Sequence, residues 1–283
     1  MSETGSERGR GISLLPSAVT VLALCLGLSS VKFALDGQLG TSYALVAAAA
    51  VLDALDGRIA RLLDVSSRIG AELDSLADAI SFGVSPALVL YLTVLDGSRA
   101  GWVVTLVFVV CTVLRLARYN TLIEDDSKPP YASEFFTGVP SPSGAMLALV
   151  PIPLQMLLGD GWWSSAPVVG IWVVAVAALV VSRLPTLSVN SIRVPSRLAA
   201  PFLVLVGATI AGLIVFPDLV VLLLTAAYLA HLPLATRRWR WLGAHPEVWD
   251  VAPAQRKAVR QLSRRRLGLR PPRVRRLAGR RRP

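Results

Sequence analysis

Only 17% of the 283 residues are charged, and over half are hydrophobic. A water-soluble chain of this length needs far more polar surface, so composition excludes a soluble globular enzyme and implies several membrane crossings. Two cysteines, Cys25 and Cys111, both inside apolar segments, exclude a disulfide framework. The two histidines, His231 and His245, stand apart from any partner in sequence, and no Ser-His or Cys-His pair suggests nucleophilic catalysis. A structural role is expected for both. Acidic residues are missing altogether from Val251 onward, where thirteen Lys or Arg occur; the net charge of +11 is concentrated there. No small-x-small cleavage site precedes a soluble domain, so the first apolar stretch is expected to be a retained span.

What the chain does have is a set of long apolar runs. They recur at Leu14–Ala34, Gly40–Leu63, Ile69–Leu95, Ala100–Tyr119, Pro140–Leu158, Ala166–Ser182, Leu198–Phe216 and Pro217–Leu234. Most are long enough to cross about 30 Å of hydrocarbon as a helix. The expected fold is therefore all-α: a polytopic transmembrane helical bundle of about eight spans. Residues 1–13 are expected to form a loose terminus, 14–234 the membrane domain and 235–283 a basic tail. Arg58, Arg61 and Arg68 flank the second connection, Arg115, Arg118 and Lys128 the fourth, and Arg183, Arg193 and Arg197 the sixth. By the positive-inside rule, both termini and these connections face the cytoplasm. Trp162 and Trp163, in an opposite loop, read as part of an aromatic belt.

Four acids interrupt this apolar background in the pattern Asp53-x₂-Asp56-Gly57-x₂-Ala60-Arg61-x₈-Gly70-x₃-Asp74-x₃-Asp78. Helical spacing puts Asp53 and Asp56 on one face, and Gly70, Asp74 and Asp78 on another. A polar break at Asp64–Ser67 suits a turn. Folding the two helices antiparallel about it sets Asp53 opposite Asp78 and Asp56 opposite Asp74. Four facing carboxylates need a cation among them. Oxygen-only ligands select a hard divalent metal, Mg²⁺ or Mn²⁺, with one or two ions held. Gly57 and Ala60 leave the helix surface bare beside the acids, and Arg61 offers a planar cation for phosphate. Together these describe a site for a nucleotide diphosphate. Solvated acids on interfacial helices are the bland alternative, but each lone acid at mid-membrane costs about 2.5–3.5 kcal/mol.

This pattern resembles the signature of the CDP-alcohol phosphotransferase family, with every position filled. The resemblance implies an integral membrane enzyme that moves a substituted phosphate from a CDP-linked donor to an alcohol and releases CMP. Asp53, Asp56, Asp74 and Asp78 would be metal ligands, with Asp78 also the general base. Gly57, Ala60, Arg61 and Gly70 would line the donor site. Leu14–Thr20 resembles the P-N-x₂-T stretch before the first helix of many members, with Ser17 where Asn is usual; the resemblance implies nucleotide contacts by Ser17 or Thr20, and a simple helix N-cap is the equal alternative.

Two more stretches bear on the acceptor. Arg115, Arg118, Tyr119 and Asn120 cluster at the end of the fourth span, where positive-inside anchoring is the competing reading. Phe135–Gly144 is a Gly/Pro-rich approach to a span, containing Gly138 and Pro140, able to offer N–H groups and hydroxyls to a small anion or simply to start a helix. These stretches are similar to those of bacterial phosphatidylserine synthases within the family. The similarity implies CDP-diacylglycerol as donor and L-serine as acceptor, with Arg115, Arg118, Asn120, Gly138 and Pro140 in the acceptor pocket, and a homodimer in the inner (plasma) membrane. Glu134, Asp125 and Asp126 are candidates for an ammonium contact. Phosphate-bearing acceptors such as glycerol 3-phosphate or inositol phosphate are the rivals within the family, and an ion-coupled transporter is the rival outside it. The basic tail is expected on anionic lipid, each charge contributing about 1 kcal/mol, rather than on nucleic acid.

Overall fold

Runs of Ala, Leu and Val without interior polar residues leave the backbone little choice in lipid but to satisfy its own hydrogen bonds as helix. The computed structural model describes residues 4–62, 68–95, 97–123, 135–187 and 199–245. They form α1 (Thr4–Leu35), α2 (Leu39–Leu62), α3 (Arg68–Asp78), a π-helical segment (Ala79–Val84), α4 (Ser85–Thr93), α5 (Arg99–Ile123), α6 (Ser141–Ala148), α7 (Pro151–Leu158), α8 (Ala166–Val181), α9 (Ala199–Val215) and α10 (Pro217–Ala244). Each of the eight expected apolar segments is largely helical over its described residues. Six of the resulting stretches are long and apolar enough to cross a membrane, while α8 and part of α9 are shorter apolar helices. The protein is a multi-pass membrane protein. α8 has 16 residues, about 24 Å of helix, because the 3₁₀ turn Trp162–Ser164 and Pro167 trim its start.

Within the expected all-α bundle, two helices run further than the apolar segments. The expected loose terminus, 1–13, is helical from Thr4 onward, since lengthening an existing helix is far easier than nucleating one. α10 likewise continues ten residues beyond Leu234, to Ala244. The bundle also carries a small antiparallel ribbon, β1 (Phe135–Thr137) with β2 (Pro185–Leu187), in which Phe135 faces Leu187 and Thr137 faces Pro185. The basic tail beyond 245 and the turn Asp64–Ser67 lie outside the described residues.

α1 and α2 form the most extensive helix pair. They are joined by a tight turn in which Gly37, at φ +75°, donates to the Ala34 carbonyl at 3.0 Å. α1 then crosses the π segment so closely that a Cβ on Gly27 would stand 2.8 Å from Ser81 Cα. π turns of this kind often adjoin functional sites, and this one follows Asp78 directly. The core of Tyr43, Val46, Phe82, Val89, Leu90, Phe108, Val139, Ile152 and Val173 fills the space between helices. Trp102, Val103, Leu106, Val110, Val113 and Leu114 leave an apolar outer face on α5, as a lipid-facing helix requires.

Gly27→Val would force α1 away from the π segment, an overpacking effect of about 1–3 kcal/mol. A clear fall in melting temperature in detergent is expected. Gly207→Ala, where no atom lies within 4 Å of the new Cβ, should leave it unchanged.

Candidate active site

The spacing of the acids along α2 and α3 brings their side chains into one cluster. Asp53, Asp56 and Asp74 each place a carboxylate oxygen within 4.8 Å of the others'. Asp53 also hydrogen-bonds Asp78, so the expected cross-helix pairing of these two is present. Asp74 faces both Asp53 and Asp56 electrostatically. Two ionised carboxylates at such range repel; the group holds together only with a proton or cation among its oxygens. Three to four converging oxygens, with no nitrogen or sulfur donor, are a donor set that fits a hard divalent cation.

Asp56 is 4% exposed, yet two donors reach it. Thr20 Oγ1 stands 2.7 Å from Asp56 Oδ2, and the Gly57 backbone N–H also serves this carboxylate. Thr20 lies well inside α1, so neither it nor Ser17 is an N-cap. Its hydroxyl instead orients an acid of the cluster. The hairpin turn at Gly37 makes this contact readable in retrospect, since Thr20 and Asp56 are nearly equidistant from it.

Opposite the acids stands Arg115 on α5, 6% exposed. Its charge acts on both Asp78 and Asp53. Its Nη1 donates to Ser141 Oγ at 2.5 Å, and the guanidinium lies over the Tyr119 ring at 5.5 Å. Arg118, one turn later, donates through Nη1 and Nη2 to the Val181 and Ser182 carbonyls, both at 2.8 Å. Two of its donors thus hold the end of α8. Asn120 is exposed and its Nδ2 donates to Ser75 Oγ at 2.9 Å, beside Asp74.

Gly138 and Pro140 place α6 under Arg115. Gly138 has φ +82° and its Cβ position would lie 2.7 Å from the Val180 carbonyl oxygen, so only glycine fits. Its N–H donates to Leu184 O at 2.8 Å and its carbonyl accepts from Thr186 Oγ1 at 3.0 Å. The Pro140 carbonyl accepts from Gly144 N at 2.8 Å, opening α6 with Ser141 in place for Arg115. Gly57 presents an open surface, with no atom within 4 Å of where a methyl group would stand, and Gly70 lies on α3 two turns before Asp78. The backbones of Ala60 and Arg61 belong to α2, but their side chains, like Glu134, Asp125 and Asp126, lie outside the described residues. His245 stacks on Trp241 and His231 lies against Tyr228.

Residues 13–181 match the CDP-alcohol phosphatidyltransferase family. The chain belongs to that family. It is 48% identical over 275 residues to the CDP-diacylglycerol–serine O-phosphatidyltransferase of Mycobacterium tuberculosis strain H37Rv, covering 94% of this chain and 96% of the relative. It is 44% identical over 264 residues to the Mycobacterium leprae protein of the same name, covering 93% and 88%. A Helicobacter pylori protein of that name is 39% identical over 143 residues, half of this chain and 58% of its own. The matched family segment contains all four acids, Thr20, Arg115 and Arg118.

Residues that orient a metal ligand commonly change metal affinity 10–100-fold when lost. Thr20→Val is expected to raise the Mg²⁺ or Mn²⁺ concentration for half-maximal activity by about that range. Titrating the metal at fixed substrate checks this, and an unchanged requirement would make the Thr20–Asp56 bond incidental.

Proposed function

We propose that this protein transfers the phosphatidyl group of CDP-diacylglycerol to the hydroxyl of L-serine, releasing CMP. The observation that carries this reading is near-full-length similarity to relatives named for that reaction, in a chain where three of the four family-motif acids converge and the fourth, Asp78, adjoins Asp53. The buried charge on the acceptor side agrees with it. Arg115 is the one buried cation among the described residues, and Arg118 is partly engaged with backbone carbonyls. A single buried guanidinium suits a carboxylate better than the denser cationic cluster expected for a phosphate-bearing acceptor.

In this reading Asp53, Asp56 and Asp74 hold one or two divalent ions, Mg²⁺ or Mn²⁺, with Asp78 able to contribute. When bound, the metal neutralises the diphosphate and stabilises the departing CMP phosphate. Gly57, Ala60 and Gly70 give the donor's head close access to the backbone, and Arg61 adds a cation for its phosphates. Asp78 accepts the serine hydroxyl proton as that oxygen attacks the phosphorus bearing diacylglycerol. The P–O bond to CMP breaks in line, so atoms balance without a covalent enzyme intermediate. Arg115, beside Asp78, holds the acceptor with its hydroxyl toward the base; Arg118, Asn120, Gly138 and Pro140 frame that side.

The distribution of basic residues supports placing the site and both termini on the cytoplasmic side of the cell (plasma) membrane. A water-soluble alcohol then enters from the cytoplasm while the lipid donor arrives from the adjoining leaflet. The helical bundle is the catalytic unit, and the basic tail lies on anionic lipid. Family resemblance and small-residue helix faces support a homodimer.

A panel of labelled acceptors with CDP-diacylglycerol should show metal-dependent CMP release with L-serine and little with glycerol 3-phosphate or inositol phosphate. Asp78→Asn should reduce kcat by at least about 100-fold, the scale of general-base loss, with metal binding retained. Turnover near wild type would remove Asp78 as the base. Deleting Gln255–Pro283 should leave kcat within about two-fold of wild type, as expected for a surface-binding tail; a folded but inactive truncation would contradict that.

A further inference from the structure

Two buried polar atoms on the Arg115 side of the site close no hydrogen bond of normal geometry: Arg115 Nε and the Tyr228 hydroxyl. They come from distant parts of the chain, α5 and α10, and meet at the first turn of α6, where Arg115 bonds Ser141 and the phenol adjoins Ser143. The Arg115 charge acts directly on Tyr228. The Ser143 and Thr186 hydroxyls adjoin the same phenol without closing a hydrogen bond of normal geometry to it. Thr186 Oγ1 already gives its proton to the Gly138 carbonyl. Arg115 Nη1 is likewise committed, to Ser141.

A buried donor left unpaired is destabilising, and native proteins seldom keep two side by side. Arg115 Nε and Tyr228 O–H are both donors, one of them cationic, so the group that completes them accepts two hydrogen bonds and carries negative charge. A carboxylate has that shape: two oxygens in a plane, matched by a guanidinium edge and one further O–H. On its other side Arg115 adjoins Asp78.

We infer that Tyr228 is an acceptor-binding residue, donating with Arg115 Nε to the carboxylate of the amino-acid substrate. The inference rests on the serine reading above and deepens it. α10 lies beyond residues 13–181, the segment that matches the family, so this contact comes from an addition to the shared core. Anchored there by its carboxylate, a short β-hydroxy amino acid directs its hydroxyl toward the Asp78 side of Arg115.

The test is Tyr228→Phe in the full-length protein, assayed in mixed micelles with CDP-diacylglycerol and Mn²⁺ or Mg²⁺. Losing one hydrogen bond to a charged group should raise the KM for L-serine about ten-fold. The KM for CDP-diacylglycerol and the melting temperature should not change, because the phenol oxygen closes no hydrogen bond of normal geometry in the protein. A serine KM raised less than about five-fold would overturn the assignment. So would a rise accompanied by a matching loss of donor affinity or thermal stability, which marks a packing role. Wild-type protein that turns over another alcohol but not serine would instead overturn the serine reading itself. Serine turnover by wild type with an unaffected Tyr228→Phe variant would sink the Tyr228 assignment alone.

Discussion

Four carboxylates in helices otherwise made of Ala, Leu, Val and Ile are the constraint from which the rest of this structure follows. At mid-membrane each would cost about 2.5–3.5 kcal/mol as an isolated acid, a sum comparable to the whole stability of many domains. Several features act against that penalty. The acids face one another rather than lipid, so one cation can serve several of them. Thr20 and the Gly57 N–H satisfy Asp56, the most buried of the three that converge. Arg115 supplies a fixed positive charge from the opposite helix. The close crossing of Gly27 and Ser81 then matters for more than packing, because it sets how near α1, and with it Thr20, comes to the acids.

Arg115 has its own requirements, and they account for the irregular parts of the bundle. A buried guanidinium needs acceptors, and Ser141 provides one from the first turn of α6. That turn is placed by Gly138, whose positive φ and contact with the Val180 and Ser182 carbonyls allow no side chain. The same carbonyl-rich corner is held from the other side by Arg118 and by the β1–β2 ribbon. Non-helical backbone at such a place is tolerated in a membrane protein only where protein covers it. Here the end of α8, the ribbon and α10 do so.

Much of this was legible in the sequence because helical period and charge burial leave few options. The spacing Asp53, Asp56, Asp74, Asp78 in apolar surroundings sufficed to predict facing pairs about a turn, and the Asp53–Asp78 contact follows that geometry. The ribbon was not legible. Its strands are three residues each, one contains proline, and so short a run has no alternation to read. The π segment was invisible for a similar reason: Ala79–Val84 has the composition of ordinary apolar helix, and the widened turn follows from tertiary packing. Helix ends at Thr4 and Ala244 were missed because polar and basic residues continue a helix as readily as they leave it. Thr20 read in sequence as a nucleotide contact or a cap, and only the α1–α2 hairpin brings its hydroxyl to Asp56.

Tyr228 belongs to a further class, in which the residue type carries no signal and position is everything. α10 is fixed along its length by contacts at both ends. Near its start, Asp218 accepts a hydrogen bond from Tyr43, a fully buried residue of α2. Toward its end, Trp239 packs edge-on against Phe135 of β1 at 5.1 Å. With both ends tied, the helix register is set, and Tyr228, about 15 Å along from Asp218 at the rise of an α-helix, reaches Ser143 in the first turn of α6. A tyrosine packed there only to fill space would gain nothing from its hydroxyl, and phenylalanine would avoid burying an unpaired O–H. The polar tip is therefore better explained by what enters the site than by what surrounds it.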